Sequence, residues 1–387
     1  MRVASIGEIC EFKYGASLPD RQRAPGDIPV YGSNGVVGRH TASLTVGPTV
    51  VIGRKGSIGK INFSEHSCWP IDTTYFVDSS STKEDIRWLS YALASIGLES
   101  LNKATGVPGL NRNDAYAKLL RVPPLDEQRR IAAILDQADD LRRKRLEAIA
   151  KLAKLSTGLF VELFGTPWIS SASSSISDLG SISVFENGDR SSNYPSGDDI
   201  LTSGIPFLST KNIVDDKLDL GSLLFISPSK FVSLSRGKAR PHDLIITLRG
   251  TLGNCCIFDG PFSTAFINAQ MMIIRAKPDI SPVFLHAYLT LPATKEHLQQ
   301  IGNGAAVPQL TAKQLAGLPI PHPPLDLQRA FAARVAEIDQ LKAHHRAHLA
   351  RLDALFASLQ HRAFRGDLRA PSFSRAREKV ASRSEVG

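Results

Sequence analysis

Cysteine is scarce in this 387-residue chain, and the four present, Cys10, Cys68, Cys255 and Cys256, show no CxxC pair and no regular spacing. That excludes a disulfide framework and a thiolate zinc site, and points to reduced, structural thiols in a cytosolic protein. Long apolar runs are missing too. No stretch approaches the roughly 20 residues that span a bilayer, and the opening MRVASIGEICEFKYG lacks the apolar centre of a signal peptide, so a cytoplasmic protein with no membrane partner is expected. The common catalytic signatures are absent as well: no GxSxG elbow, no HExxH, no (N/D)PP(Y/F) tetrapeptide and no glycine-rich cofactor loop after a first strand. These absences disfavour an enzyme.

What is present is positive charge and repetition. Lys and Arg number 46 against 37 Asp and Glu, a formal net charge of +9. Such a balance favours a polyanionic partner, because each cation set against a phosphate releases condensed counterions. Val107, Pro108, Leu110, Pro123, Pro124, Leu125, Asp126, Gln128 and Arg129 recur 200 positions later as Val307, Pro308, Leu310, Pro323, Pro324, Leu325, Asp326, Gln328 and Arg329. A tandem duplication implies two similar modules, each closed by a helix, acting on a partner with matching near-symmetry such as duplex DNA.

Residues 1–122 contain short β-branched runs broken by glycine turns (IPVYGSNGVVG, TVVIGRKGSIG, DTTYFV) before a helical stretch, DIRWLSYALASIGLESL, which indicates a mixed α/β module. Residues 176–322 repeat the order with IPFLSTKNI, LIITLRGTLG, NAQMMIIR and SPVFLHAYLTLPATKEHL. Between and after the modules lie two long helical patterns. With Ile131 as a heptad a position, the first seam runs through Ile134, Ala138, Leu141, Arg145, Ala148, Leu152, Leu155 and Leu159; the second runs through Phe331, Arg334, Ile338, Leu341, His345, His348, Leu352, Leu355 and Leu359. A stripe of period about 3.5 argues for a coiled coil. The Pro-Pro pairs block helix from upstream, Asp126 and Asp326 are placed to cap, and Gly165 and Gly366 to terminate. Leu135, Leu146, Ile149, Phe160 and Phe164 lie beyond this seam, more apolar surface than one two-helix contact covers, and so imply helical partners.

Several motifs carry possible chemistry. GRKGSIGK fails as a phosphate loop, because five residues separate Gly53 from Gly59 and Ile61 follows the lysine. Its recurrence as Arg249, Gly250, Thr251, Leu252 and Gly253 favours a basic loop that meets a phosphate or base edge, with a solvated hairpin turn as the plainer reading. In GLNR, Asn111 and Arg112 could pair with adenine and guanine, or form an ordinary turn; the counterpart QLTA keeps only the leucine. The HHxxH run, His344, His345 and His348, lacks a neighbouring carboxylate or cysteine to complete a metal site, and suits polar seam positions alongside Arg145. The candidate DNA contacts are Arg21, Arg23, Arg39, Arg54, Lys55, Lys60, Asn111 and Arg112 in the first module, and Arg190, Lys211, Asn212, Lys238, Arg249 and Thr251 in the second. No catalytic or metal-ligating residue is assigned.

With ICEFKYGASLP, PVYGSNGVVG, VVIGRKGSIG, WPIDTTYFV, GVPGLNR and PPLDEQRRIAAILD assembled in order and partly repeated, the chain resembles the specificity subunit of type I restriction-modification enzymes over nearly its whole length. The resemblance implies two α/β target recognition domains, 1–122 and 176–322. It also implies two spacer helices, 123–166 and 323–368, packed as an antiparallel coiled coil, with 167–175 a linker and 369–387 a basic, disordered tail. It implies a non-catalytic DNA-recognition subunit for a bipartite, asymmetric sequence, partnered by two methyltransferase subunits and by restriction/translocase subunits. S-adenosylmethionine, ATP and Mg would then sit on those partners, not on this chain. The alternative is the recognition part of a methyltransferase or nuclease with its own activity.

Overall fold

The computed structural model describes residues 2–101, 109–165, 175–302 and 308–368. The expected linker and C-terminal tail fall outside the described residues, apart from Ser175, as do the repeated Val107, Pro108 and Val307. The chain divides into two compact units, residues 1–147 with 346–387, and residues 148–345.

Each unit is built around the same four-stranded antiparallel sheet. In unit 1 the order is Lys13–Tyr14, Thr74–Asp78, Thr49–Gly53, Ile61–Ser64; in unit 2 it is Ser183–Asn187, Met271–Ala276, Leu244–Thr247, Cys255–Ile257. The central strands are buried along their whole length (Thr49–Gly53, Thr74–Asp78, Leu244–Thr247), which explains why they read as continuous β-branched runs and not as alternating ones. A second sheet accompanies each, with one parallel pairing in the same place: Ile28–Gly32 beside Trp69–Pro70, and Ile205–Leu208 beside Ala265–Ile267. A two-stranded ribbon joins the start of each module to its end, Arg2–Ser5 with Leu119–Val122 and Ile176–Asp178 with Pro319–Pro321. All four cysteines are buried as free thiols, and burial pushes Cys10 and Cys256 up to about 12, so they remain protonated and serve as packing. Among the described residues no helix is long and apolar enough to cross a membrane.

The two long helices run from Leu125 to Phe164 and from Leu325 to Arg365. Each ends at a glycine with positive φ, Gly165 at +66° and Gly366 at +84°, as a left-handed C-terminal stop requires. At their starts the capping role expected of Asp126 and Asp326 is not what is seen. Helix begins at Leu125, one residue before Asp126, which lies inside the first turn and pairs with Arg129 at 3.6 Å; Asp326 and Arg329 do the same. These carboxylates therefore act on the helix dipole and not as caps.

Each unit contains the first half of one long helix and the second half of the other, paired antiparallel. In unit 1, Arg130 Nη2 donates to the Leu368 carbonyl and Arg142 Nε donates to Asp353 at 2.6 Å, while Phe356 and Phe364 from the second helix pack on Tyr91 and Trp88. In unit 2, Lys342 Nζ donates to Ser156 Oγ at 3.1 Å, and Phe160 and Phe164 from the first helix pack on Phe284 and Phe331.

The seam has the expected period in a different register. Ile131 and Phe331 are d positions, with the a positions one residue beyond those expected to complete the stripe: Leu135, Arg142, Ile149 and Ser156 in the first helix, Val335, Lys342, Leu349 and Phe356 in the second. Leu135, Phe160 and Phe164, expected to be spare, are buried. Leu141, Leu155, Leu341 and Leu355, expected on the seam, are between 48% and 55% exposed. Arginine and lysine can occupy a positions because each is ion-paired, Arg142 with Asp139 and Asp353, Lys342 with Asp339.

This register makes a prediction for unfolding of the full chain. Leu135→Ala should cost about 2–5 kcal/mol, the usual cost of a core leucine truncation, whereas Leu141→Ala should stay within about 0.5 kcal/mol. Denaturant titration of both variants checks this, and a larger loss for Leu141→Ala would restore the other register.

Candidate nucleic-acid interface

The basic loop of unit 1 leaves the buried strand Thr49–Gly53 and closes on itself. Gly53 N–H donates to the Lys60 carbonyl and Gly59 N–H to the Gly53 carbonyl, both at 2.8 Å. Gly59 has φ +71°, and a Cβ there would lie 2.4 Å from the Glu99 nitrogen, so only glycine fits. Gly56, at φ +74° at the tip, meets nothing within 4 Å. The Leu110 N–H donates to the Arg54 carbonyl at 2.9 Å, which draws GLNR against the loop although the two are distant in sequence.

This juxtaposition assembles a cationic and aromatic cluster. The Arg54 guanidinium lies 5.4 Å from the Tyr14 ring centre and 5.8 Å from Tyr75; Arg112 lies 5.4 Å from Tyr14 and 5.7 Å from Tyr116. Tyr14, 54% exposed, therefore sits between two arginines. Burial pushes the Tyr75 phenol up to about 12, and its hydroxyl donates to the Leu110 carbonyl at 3.2 Å, so it holds the cluster as a donor. Arg54 Nη2 donates to the Asp72 carbonyl at 2.5 Å, fixing its orientation. Arg112 opens the short helix Arg112–Tyr116, whose N-cap is Asn111. Asn111 Oδ1 accepts from Asn113 N at 2.8 Å and Asp114 N at 3.4 Å, so its acceptor serves the helix end and not a base.

Unit 2 reproduces the frame with other side chains. Thr247 N–H donates to the Asn254 carbonyl at 2.9 Å, Gly253 N–H to the Thr247 carbonyl at 3.1 Å, and Leu310 N–H to the Leu248 carbonyl at 2.9 Å. Gly250 and Gly253 have φ of +78° and +79°. Leu248 thus stands where Arg54 stands, Arg249 where Lys55 does, and Ala312 where Arg112 does. Arg249 forms a β-bridge with Gln309, and its Nε and Nη2 both donate to Gln309 Oε1, at 3.1 and 2.8 Å. Arg190, with Nη2 donating to the Ala269 carbonyl at 3.1 Å, lines the same cavity of about 250 Å³. The Thr251 side chain is exposed at the loop tip, while its carbonyl accepts from Thr247 Oγ1.

The other candidates lie apart from these clusters. Lys60 closes its loop by donating to Asn34 Oδ1 at 2.6 Å, and Lys55 is exposed beside Gly56. Arg39 Nη1 donates to the Asp27 carbonyl at 2.8 Å, and Arg21 is exposed in the single turn Asp20–Gln22. Three candidates are held within their own modules. Arg23 is tucked against its own module, donating to the Leu18 and Val37 carbonyls and pairing with Asp20. Asn212 is 3% exposed, its Oδ1 accepting from Ser209 N and Oγ and its Nδ2 donating to the Ser222 carbonyl. Lys238 lies on Phe231 with Nζ donating to the Val232 carbonyl; Lys211, beside Asn212, is exposed. In each case a local backbone group supplied the partner, which composition does not disclose. Tyr14 and Gln309 were missed by sequence reasoning. Tyr14 lies in EFKYG, where only its distance from GRKG and GLNR hid it; Gln309 could have been found as the polar residue replacing Gly109 in the repeat.

Fold and site together define a duplicated two-module protein in which one scaffold presents two different sets of side chains. The chain belongs to the type I restriction modification DNA specificity domain family, which matches residues 1–151 and 171–352. It is 30% identical over 181 residues, 45% of this chain and 37% of the relative, to the type I restriction enzyme EcoBI specificity subunit of Escherichia coli. It is 24% identical over 259 residues, 63% of this chain and 60% of the relative, to the type I restriction enzyme MjaVIII specificity subunit of Methanocaldococcus jannaschii. These matches span less than two thirds of either relative. In fold it is similar to the type I restriction-modification S subunit from M. genitalium, with a TM-score of 0.61 at 18% identity over 94% of this chain and 96% of that one. A type I restriction-modification structure described for complex assembly and conformational transition gives a TM-score of 0.55 at 19% identity, over 95% and 98%.

A base-reading Arg112 and a phosphate-contacting Lys60 would behave differently on substitution. Arg112→Ala should cost about 1–3 kcal/mol and relax one base preference, whereas Lys60→Ala should weaken all duplexes alike and reduce the salt dependence by about one counterion. Titrations of cognate and altered duplexes at several salt concentrations check this; equal, sequence-independent losses would make Arg112 a phosphate contact.

Proposed function

We propose that this chain is the non-catalytic DNA specificity subunit of a type I restriction-modification complex. Its two modules would recognise the halves of a bipartite, asymmetric sequence. The observation that carries the reading is the loop frame built twice on the same backbone hydrogen bonds, with Arg54, Tyr14 and Arg112 in one copy and Leu248, Arg249 and Gln309 in the other. A shared scaffold with unlike side chains suits two half-sites of different sequence, and a net charge of +9 suits the phosphate backbone. In this reading residues 1–122 and 176–322 are the target recognition domains, and the two long helices set the unspecified gap between half-sites. Methyl transfer, ATP hydrolysis and cleavage would belong to methyltransferase and restriction/translocase subunits that bind S-adenosylmethionine, ATP and Mg.

Methylome sequencing of a host that expresses the chain with those subunits should reveal one new two-part motif, absent when the chain is omitted. The isolated chain should neither bind S-adenosylmethionine nor label DNA; labelling by the chain alone would favour the alternative, a recognition part with its own activity.

The long helices support the partner assignment. Leu141 and Leu355 in unit 1, and Leu155 and Leu341 in unit 2, occupy g positions, which in an antiparallel pair flank one side of the seam. Exposed leucines at equivalent places in both units suit two copies of one helical partner. Leu141→Glu combined with Leu355→Glu should abolish co-purification of one methyltransferase subunit and leave the chain's thermal unfolding midpoint within a few degrees. Retention of two subunits in native mass spectrometry would remove this assignment.

A further inference from the structure

The reading of the chain as a DNA specificity subunit leaves open which base each module selects, and the Arg249–Gln309 pair narrows it for unit 2. Three constraints fix that arginine. The β-bridge between Arg249 and Gln309 sets the two backbones edge to edge, and the Leu310 N–H bond to the Leu248 carbonyl locks the register one residue away. The Gln309 Oε1 then accepts from both Nε and Nη2 of Arg249, at 3.1 and 2.8 Å, which holds the guanidinium plane. A guanidinium carries five N–H donors in a rigid fork. Gln309 engages the inner edge, so the outer edge formed by Nη1 and the second Nη2 hydrogen presents two parallel donors. The residue itself is exposed at the mouth of the cavity that it shares with Arg190 and Asn187.

Two parallel donors at fixed spacing match the O6 and N7 acceptors on the major-groove edge of guanine; adenine offers a donor at the position of O6, and a pyrimidine offers no such pair. A phosphate also accepts two donors, but it does so from many directions, whereas base selection depends on a plane of the kind that the Gln309 amide holds. Unit 1 has no equivalent device, since Lys55 stands at the place of Arg249 and Gly109 at that of Gln309. We propose that Arg249, positioned by Gln309, selects a guanine in the half-site read by unit 2, a pairing with no counterpart at Lys55 and Gly109 of unit 1.

The test uses the chain assembled with its methyltransferase subunits and a panel of duplexes, each with one base pair of the methylated motif replaced. For the wild type, replacing one particular guanine of the unit 2 half-site should weaken binding roughly 5- to 150-fold, and 7-deazaguanine at that place, which lacks the N7 acceptor, should also weaken it. Arg249→Ala should accept all four base pairs at that position with the rest of the motif unchanged. Gln309→Leu, which keeps Arg249 but removes its acceptor, should relax the same position in part, and Gln309→Glu should restore it. If Arg249→Ala binds more weakly to every duplex with its preferences intact, or relaxes an A·T position or the other half-site, the proposal is overturned while DNA specificity stands. If the wild-type complex shows no sequence preference at all, the underlying reading falls and the proposal falls with it.

Discussion

A buried amide ties each long helix to its module, and most of the architecture depends on that tie. Gln128, 1% exposed, accepts the Asp85 N–H through Oε1 at 2.8 Å and donates through Nε2 to the Pro123 carbonyl and to Glu84. Gln328, fully buried, accepts the Ser281 N–H at 2.8 Å and donates to the Pro323 and Asp279 carbonyls. Asp85 and Ser281 are the N-caps of the module helices Ile86–Ser95 and Pro282–Leu289. One side chain therefore satisfies a cap amide, the carbonyl of the Pro-Pro corner and the start of the long helix. An uncompensated amide at that depth costs about 1–3 kcal/mol, and no apolar residue supplies both a donor and an acceptor. This is the physical content of the repeated PPLDxQR wording: the prolines make the corner, the glutamine fixes its angle, and the helix leaves the module in one direction.

From that fixed corner the rest of each unit follows. The helix start covers the module's core with Ile131 and Leu135 in unit 1 and with Phe331 in unit 2. The end of the opposite long helix completes the same core, through Phe356 and Phe364 in one unit and Phe160 and Phe164 in the other. Neither module core is closed by its own contiguous sequence. The site at the other end of the central strand is built by the same economy, because one backbone bond, Leu110 to Arg54 or Leu310 to Leu248, brings a loop and a helix cap together. Backbone bonds set the frame and are indifferent to side chains, so the frame can repeat while the exposed residues on it differ.

Much of this was legible from residues alone. The 200-residue repeat announced two modules, the glycine pairs in GRKGSIG and RGTLG announced equivalent loops, and the two helices announced their period. The register of those helices was not legible. A 3.5-residue repeat that carries leucine at g positions and arginine, lysine or serine at a positions offers two stripes; in the first helix the more apolar one runs through Leu141 and Leu155, while in the second Arg334, Leu341, His348 and Leu355 compete with Val335, Lys342, Leu349 and Phe356. Only the packed structure shows that Arg142 and Lys342 are held on the seam by aspartates three residues before them and by residues on the facing helix half, Asp353 and Ser156. The candidate cations divided by their surroundings: Arg23 and Lys238 are held by carbonyls away from the loop cluster, whereas Arg54, itself held by the Asp72 carbonyl, and Arg112 flank the exposed Tyr14 ring.

The sequence by itself determined the two-module plan, the α/β character of each module, the places of the loops and the period and ends of the long helices, because these depend on local chirality, turn chemistry and the spacing of apolar residues. Tertiary structure decided which leucines are covered, which groups hold each cation, and that Tyr14 stands between Arg54 and Arg112 while Gln309 holds Arg249. Those outcomes rest on contacts between segments tens of residues apart, and a side chain's partner at that distance is set by how whole elements pack, which no local pattern encodes.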